Sequence, residues 1–185
     1  MVFFKTGTLQ SLTWADPVTV VDVNDKKHTR RLVQAIDDNH RRLKDESGRE
    51  SHFHWTNAFM VPFGDNELLG MGHFHRPPGR GKNDYARFGH HYTHAFFTIT
   101  AKAPHRLKRL SGEFVLPSKS NKYGDDADII QFASGLEVDG DDVILAYGIN
   151  DCEGAAVHVD KVVVNELLRS VPEGKEVIDL MTFLK

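Results

Sequence analysis

The stretch Phe132 to Tyr147, FASGLEVDGDDVILAY, decides the fold class. Apolar segments flank Asp139-Gly140, a dipeptide favoured where a chain must reverse within two residues. The reading is a β-hairpin. Working outward, a second hairpin is predicted over Ala58 to His75 (AFMVPFGDNELLGMGHFH), turning at Gly64-Asp65-Asn66. The two segments align at an offset of 76 residues: Gly64-Asp65 falls on Gly140-Asp141, Leu69 on Leu145, Gly72 on Gly148 and His75 on Asp151. Each is followed by a further apolar segment, Ala95 to Thr100 and Ala155 to Val159. A unit used twice outweighs any local propensity, and a hairpin plus a third strand suits one blade of a β-propeller.

The flanking regions differ. Val18 to Val23 reads as a strand, whereas Thr29 to Lys44 (TRRLVQAIDDNHRRLK) sets Leu32, Val33, Ile36 and Leu43 near one helical face and predicts an N-terminal helix. Asp45 to Ser51 is a polar loop. Asp160 is placed to cap a short helix over Val162 to Leu168, with Pro172 soon after. No linker divides the chain. The expectation is one mainly β domain over residues 1–185, with blades in 55–185 and, in 1–54, the remnant of a preceding blade plus helix and loop.

Composition narrows the function. The 185 residues are 40% hydrophobic and 26% charged, ordinary for a globular domain. A net charge of -3 gives no global reason to expect nucleic acid or an anionic membrane as partner. Cys152 is the only cysteine, which excludes an intrachain disulfide and a cysteine-only zinc site. Apolar runs are far shorter than the roughly 20 residues that span a bilayer, so the default expectation is a soluble, cytoplasmic protein. Eleven histidines and twelve phenylalanines are unusual, and many crowd between His52 and His105.

Three groups of residues carry candidate chemistry. In Gly72-His73-Phe74-His75-Arg76 the two histidines alternate on one predicted strand, so both can address one ligand. In Gly89-His90-His91-Tyr92-Thr93-His94, residues His90, Tyr92 and His94 share a face and His91 takes the other. Between them lies a loop punctuated by glycine and proline and carrying Arg80, Lys82 and Arg87. The third group, Tyr147-Gly148-Ile149-Asn150-Asp151, occupies the repeat position of Met71 to His75. Against each stands a plainer role: a strand-end histidine that is merely hydrogen-bonded or solvated, a solvated loop, an Asx-turn at Asn150-Asp151. In a propeller, equivalent strand ends gather on one axial face, which would bring His75 and Asp151 together in a polar pocket suited to a sugar or a sugar with phosphate.

The run from Ile130 to Leu168, with its Tyr147-Gly148-Ile149-Asn150-Asp151 strand end followed by a strand and a Leu-rich helix, resembles the last blade of the five-bladed propellers of glycoside hydrolase family 130, the β-mannoside phosphorylases and their relatives. His73 or His75, the aromatic strand Tyr92 to Thr100, Pro104 and Phe114 to Pro117 resemble the blade before it. The likeness is closer still to propeller domains found beside glycosyltransferases, and covers roughly residues 55 to 170. It implies a partial five-bladed propeller of about two to two and a half blades, since a full ring needs about 300 residues. It further implies a sugar- and phosphate-binding side formed by His73, His75, Arg76, His91, Tyr92, Tyr147, Asn150 and Asp151. No residue matches the family's general acid, so the catalytic residues stay unassigned.

The leading expectation is therefore a carbohydrate-active protein related to glycoside phosphorylases and glycosyltransferases. Its partners would be an oligosaccharide or sugar phosphate, with inorganic phosphate, and neither nucleic acid nor membrane. No cofactor or metal is expected under it. Exposed blade faces would favour self-association or an upstream domain. The alternatives are a noncatalytic carbohydrate-binding or interaction domain, and a histidine-ligated metal protein built on His73-x-His75 with His91 or His94. The last is disfavoured by Arg76 and Arg80, where a cupin-like site wants a glutamate.

Overall fold

The computed structural model describes residues 2–5, 8–15, 18–22, 30–34, 43–44, 53–55, 60–75, 92–102, 105–117, 130–171 and 178–179. In chain order the strands are β1 (Val2–Lys5), β2 (Thr8–Ala15), β3 (Val18–Asp22), β4 (Arg30–Gln34), β5 (Leu43–Lys44), β6 (Phe53–Trp55), β7 (Val61–Pro62), β8 (Glu67–His75), β9 (Tyr92–Thr100), β10 (Leu107–Leu110), β11 (Gln131–Asp139), β12 (Asp142–Ile149) and β13 (Glu153–Asp160). Helix α1 (Lys161–Leu167), β14 (Arg169–Ser170) and β15 (Ile178–Asp179) follow. The chain is mainly β. One sheet has the order β1-β2-β3-β4; a second has the order β14-β10-β9-β8-β6, with β7 also pairing β8; a third is β11-β12-β13. No closed barrel or propeller ring is seen among the described residues.

Both predicted hairpins form, and each carries its third strand: β7-β8-β9 and β11-β12-β13 are antiparallel meanders. Their turns differ in length. Phe63 N–H donates to Glu67 C=O at 2.9 Å across Gly64-Asp65-Asn66, whereas Asp139 pairs Asp142 directly across Gly140-Asp141. Gly64, Asn66 and Gly140 hold φ values of 65°, 59° and 59°, the left-handed region that glycine and asparagine tolerate. Because the first turn is one residue longer, Glu67 corresponds to Asp142. On the central strands His75 then matches Asn150, not Asp151.

This one-residue difference sets how the meanders stack. Along a strand, the side-chain face and the edge to which N–H and C=O point reverse together at each residue. Asn66 C=O accepts from Ala101 N–H, so even-numbered residues of β8 bond toward β9, and Leu69 and Met71 bond toward β7. Asp141 C=O accepts from Lys161 N–H, so odd-numbered residues of β12, Leu145 and Tyr147 among them, bond toward β13. Yet Leu69, Met71, Leu145 and Tyr147 belong to one core. The front of the first meander therefore packs on the back of the second.

Burial agrees with this layering. β9 reads as an almost unbroken buried run, and Ala95, Phe97 and Ile99 on the far face from Phe96 are as buried as Phe96 itself. The first meander is thus covered on both sides. β13 alternates exposed with half-buried residues, leaving Ala146, Ala156 and Phe132 of the outer face in water. Gly70 is needed where it stands, because a Cβ there would come within 2.6 Å of the Phe97 ring and 2.7 Å of Met60 Sδ.

At the turn end, α1 closes the core. Asp160 accepts Val162 N–H at 2.8 Å as N-cap, and Val164 is buried. Arg109 donates to Glu67 at 2.8 Å and to Asn165 at 2.7 Å while lying 5.6 Å from the Phe63 ring centre; Lys161 approaches that ring to 5.7 Å. One guanidinium thereby joins the first meander, β10 and α1.

The helix expected over Thr29 to Lys44 is not formed where the backbone is described. Arg30–Gln34 is strand β4, paired antiparallel with β3, and Leu43–Lys44 pairs parallel with β15. An apolar period alone stabilises a short helix poorly, whereas β3 offers an open edge of N–H and C=O groups that an adjacent extended segment satisfies.

Leu145→Ala is expected to cost about 2–5 kcal/mol in chemical denaturation, as for a large-to-small change in a packed core. Ala146→Ser, its neighbour on the water-facing side, should stay within about 0.5 kcal/mol of the parent. Comparable losses at both positions would contradict the layering.

Candidate functional site

The strand ends of the two meanders meet at the end of the sheets opposite α1. His73, half-buried near the end of β8, lies 5.5 Å from the Tyr92 ring and 5.3 Å from the Phe132 ring, centre to centre, tilted by 56° to each. Tyr92 opens β9 and Phe132 lies in β11, so a single imidazole ties the two sheets together. Phe132 is 42% exposed, enough for its ring to meet a ligand. It pairs with Gly148, which places the Asn150-Asp151 turn on the same rim.

His94, on β9, is fully buried. The register sets it opposite His73, itself opposite His54 on β6, so three adjacent strands carry histidine at one level. The His94 backbone exchanges two hydrogen bonds of 2.8 Å with Phe114, and its ring lies 6.3 Å from the Phe114 ring. Its Nε2 accepts from Ala133 N–H at 3.3 Å, a bond from the first meander to the second. Nδ1 then carries the proton and has no acceptor among the described residues. Burial, and secondarily the charge of His73, hold the pKa of His94 down at about 3. The ring is a neutral structural tie.

The other predicted residues divide. Tyr147 is buried, its hydroxyl donates to Pro117 C=O at 2.6 Å, and loss of water pushes its pKa up. It faces the core. Asn150 and Asp151 are exposed, with φ of 50° and 56°; Cys152 N–H donates to Ile149 C=O at 3.1 Å to close the turn. Asn150 also binds Ile130 through its N–H at 2.9 Å and its Oδ1 at 3.4 Å, so it caps the strand end as an Asx residue does. Asp151 is left facing water. His75 ends β8 opposite Tyr92 in register, but its side chain, with Arg76 and His91, lies outside the described residues.

Two features escaped the sequence reading. Phe132 is the aromatic that faces His73, and nothing in its local pattern marks it as more than a strand residue. Glu113 is a buried carboxyl bonded by the Thr93 hydroxyl. Thr93 alternates with Tyr92 and His94, so this carboxyl sits behind the sheet, away from the aromatic rim. Gln131, also buried, is wholly engaged: it accepts Leu116 N–H at 2.8 Å and donates to Leu116 C=O at 2.6 Å, acting as one more strand. Among the described residues no three metal-ligating side chains converge, and no helix is long and apolar enough to cross a membrane.

The chain matches no protein-family model, no curated protein and no solved structure.

His94 makes a pH prediction with a definite sign. Its folded pKa lies below the unfolded value of 6.5, so between about 3 and 6.5 the unfolded chain binds the extra proton and stability falls as pH falls. From pH 7 to 5 this one group should remove about 2 kcal/mol, read from urea denaturation. His94→Gln should show a correspondingly flatter dependence; an unchanged slope would mean the ring is not held neutral.

Proposed function

We propose that this rim is a carbohydrate-binding face, on a chain that represents part of a β-propeller of the glycoside phosphorylase type. The observation that carries the reading is the contact of His73 with Phe132, which joins strand ends of successive meanders into one aromatic surface. Sugar rings stack their C–H faces on such exposed aromatics, while carboxylates and imidazoles take the hydroxyls. Here Phe132 and Tyr92 offer the apolar faces and the exposed Asp151 an acceptor, with His73 holding the two rings together. Front-to-back stacking of like meanders supports the propeller reading, because that is how one blade succeeds another.

The reading favours binding over turnover. Inverting glycoside chemistry needs a carboxylic acid at the leaving oxygen, and the buried Glu113 lies on the other side of the sheet from His73. Titration calorimetry with mannose-type oligosaccharides and with inorganic phosphate tests the proposal. Phe132→Ala and His73→Ala should weaken sugar binding by about 1–3 kcal/mol, and Asp151→Ala should weaken sugar more than phosphate. Equal affinity in all three variants would make these residues structural caps.

A further inference from the structure

The two meanders end differently. In the first, the third strand β9 pairs β8 on one side and β10 on the other. In the second, β13 pairs β12 alone, and among the described residues no strand covers its other edge. Lys161 N–H donates to Asp141 C=O, so odd-numbered residues of β13 bond toward β12, and the N–H and C=O groups of Gly154, Ala156 and His158 point to the open side. Side chains record the same gap. Ala155, Val157 and Val159 pack against the core yet stay half-buried, where β9 is buried along almost its whole length.

Exposed edges are normally blunted by proline, lysine or a bulge. Over Glu153–Asp160 β13 has none of these, and it pairs β12 without a register shift. A strand that completes this edge must be extended and carry small or β-branched residues on the core side. It must also keep its own acids away from the outer face, which carries Glu137, Asp139, Asp142 and Asp160, with His158 at 3.8 Å from Asp142. A second β13 meets these demands. Antiparallel and centred on Val157, the pairing sets Val157 opposite the partner's Val157, Ala155 opposite Val159, Ala156 opposite His158 and Gly154 opposite Asp160, with Glu153 of one copy level with Lys161 of the other. No like charges are opposed. The two acidic turns lie at opposite ends of the joined sheet.

We infer that β13 pairs edge to edge with β13 of a second copy of this chain, joining the two three-stranded sheets about a two-fold axis at Val157. The axis stands perpendicular to the sheet, so both core-facing sides remain on one side. The contact is isologous and closes at the dimer. It does not rest on the sugar-binding reading.

Sedimentation velocity of the full chain across a range of concentrations tests the pairing. An equilibrium of monomer and dimer, with no larger species, is expected. Ala156→Pro removes an N–H that no strand within the chain uses and should weaken the dimer about tenfold or more. Lys161→Glu sets acid against the partner's Glu153 and should weaken it a few-fold; adding Glu153→Lys should restore it, which a folding defect would not do. In a Cys152→Ser background, Val157→Cys should yield an interchain disulfide on mild oxidation, because residues paired outside the hydrogen bonds have Cα atoms about 4.5 Å apart. A monomer at every concentration, a larger assembly, or a dimer that neither forms this crosslink nor responds to the charge changes would overturn the inference.

Discussion

The apolar contact between the front of one meander and the back of the next is the constraint on which the rest of this structure depends. It exists because Leu69 and Met71 address β7 with their backbone groups while Leu145 and Tyr147 address β13, yet all four meet in one core. Burying large side chains of this kind contributes roughly 1.5–3 kcal/mol each, far more than any single polar contact at the periphery. A two-residue turn in both hairpins, or a three-residue turn in both, would have set the same faces in different phase and sent one leucine set into water. Turn length is therefore a fold determinant here, not a surface detail.

The polar groups sort themselves around that contact. Gln131 supplies the missing strand for Leu116, Arg109 joins Glu67 to Asn165, and His94 joins Phe114 to Ala133. Each has its partners close to the seam between layers, where an unmet donor or acceptor is costly. Among the described residues Nδ1 of His94 is an exception, carrying a proton with no acceptor, and the buried Thr98 hydroxyl is another. A neutral imidazole is what the site can tolerate, and the depressed pKa is the electrostatic expression of that fact.

The same stacking creates the rim. Successive meanders that pack front to back bring equivalent strand ends to one side of the seam, so residues from β8, β9, β11 and the turn after β12 become neighbours. His73, Tyr92 and Phe132 are far apart in sequence and adjacent in space for this reason. An aromatic surface with an acidic turn beside it follows from the layering, before any ligand is considered.

Local sequence sufficed for the mainly β class, both hairpins and their third strands, the Asp160-capped helix and the histidine-rich strand ends. These depend on alternation, turn chemistry and capping, which act over a few residues and are legible locally. It misjudged Thr29 to Lys44, where an apolar period suggested a helix but a neighbouring strand edge imposed β4. It also matched His75 to Asp151, because a sequence offset does not register the extra residue in one turn. Packing settles which face of each meander is buried, that Tyr147 turns inward to Pro117, that Asn150 is a cap, and that Phe132 meets His73. Each of these follows from contacts between layers, which depend on the phase of hydrogen bonding across strands, and no stretch of one strand carries that phase alone.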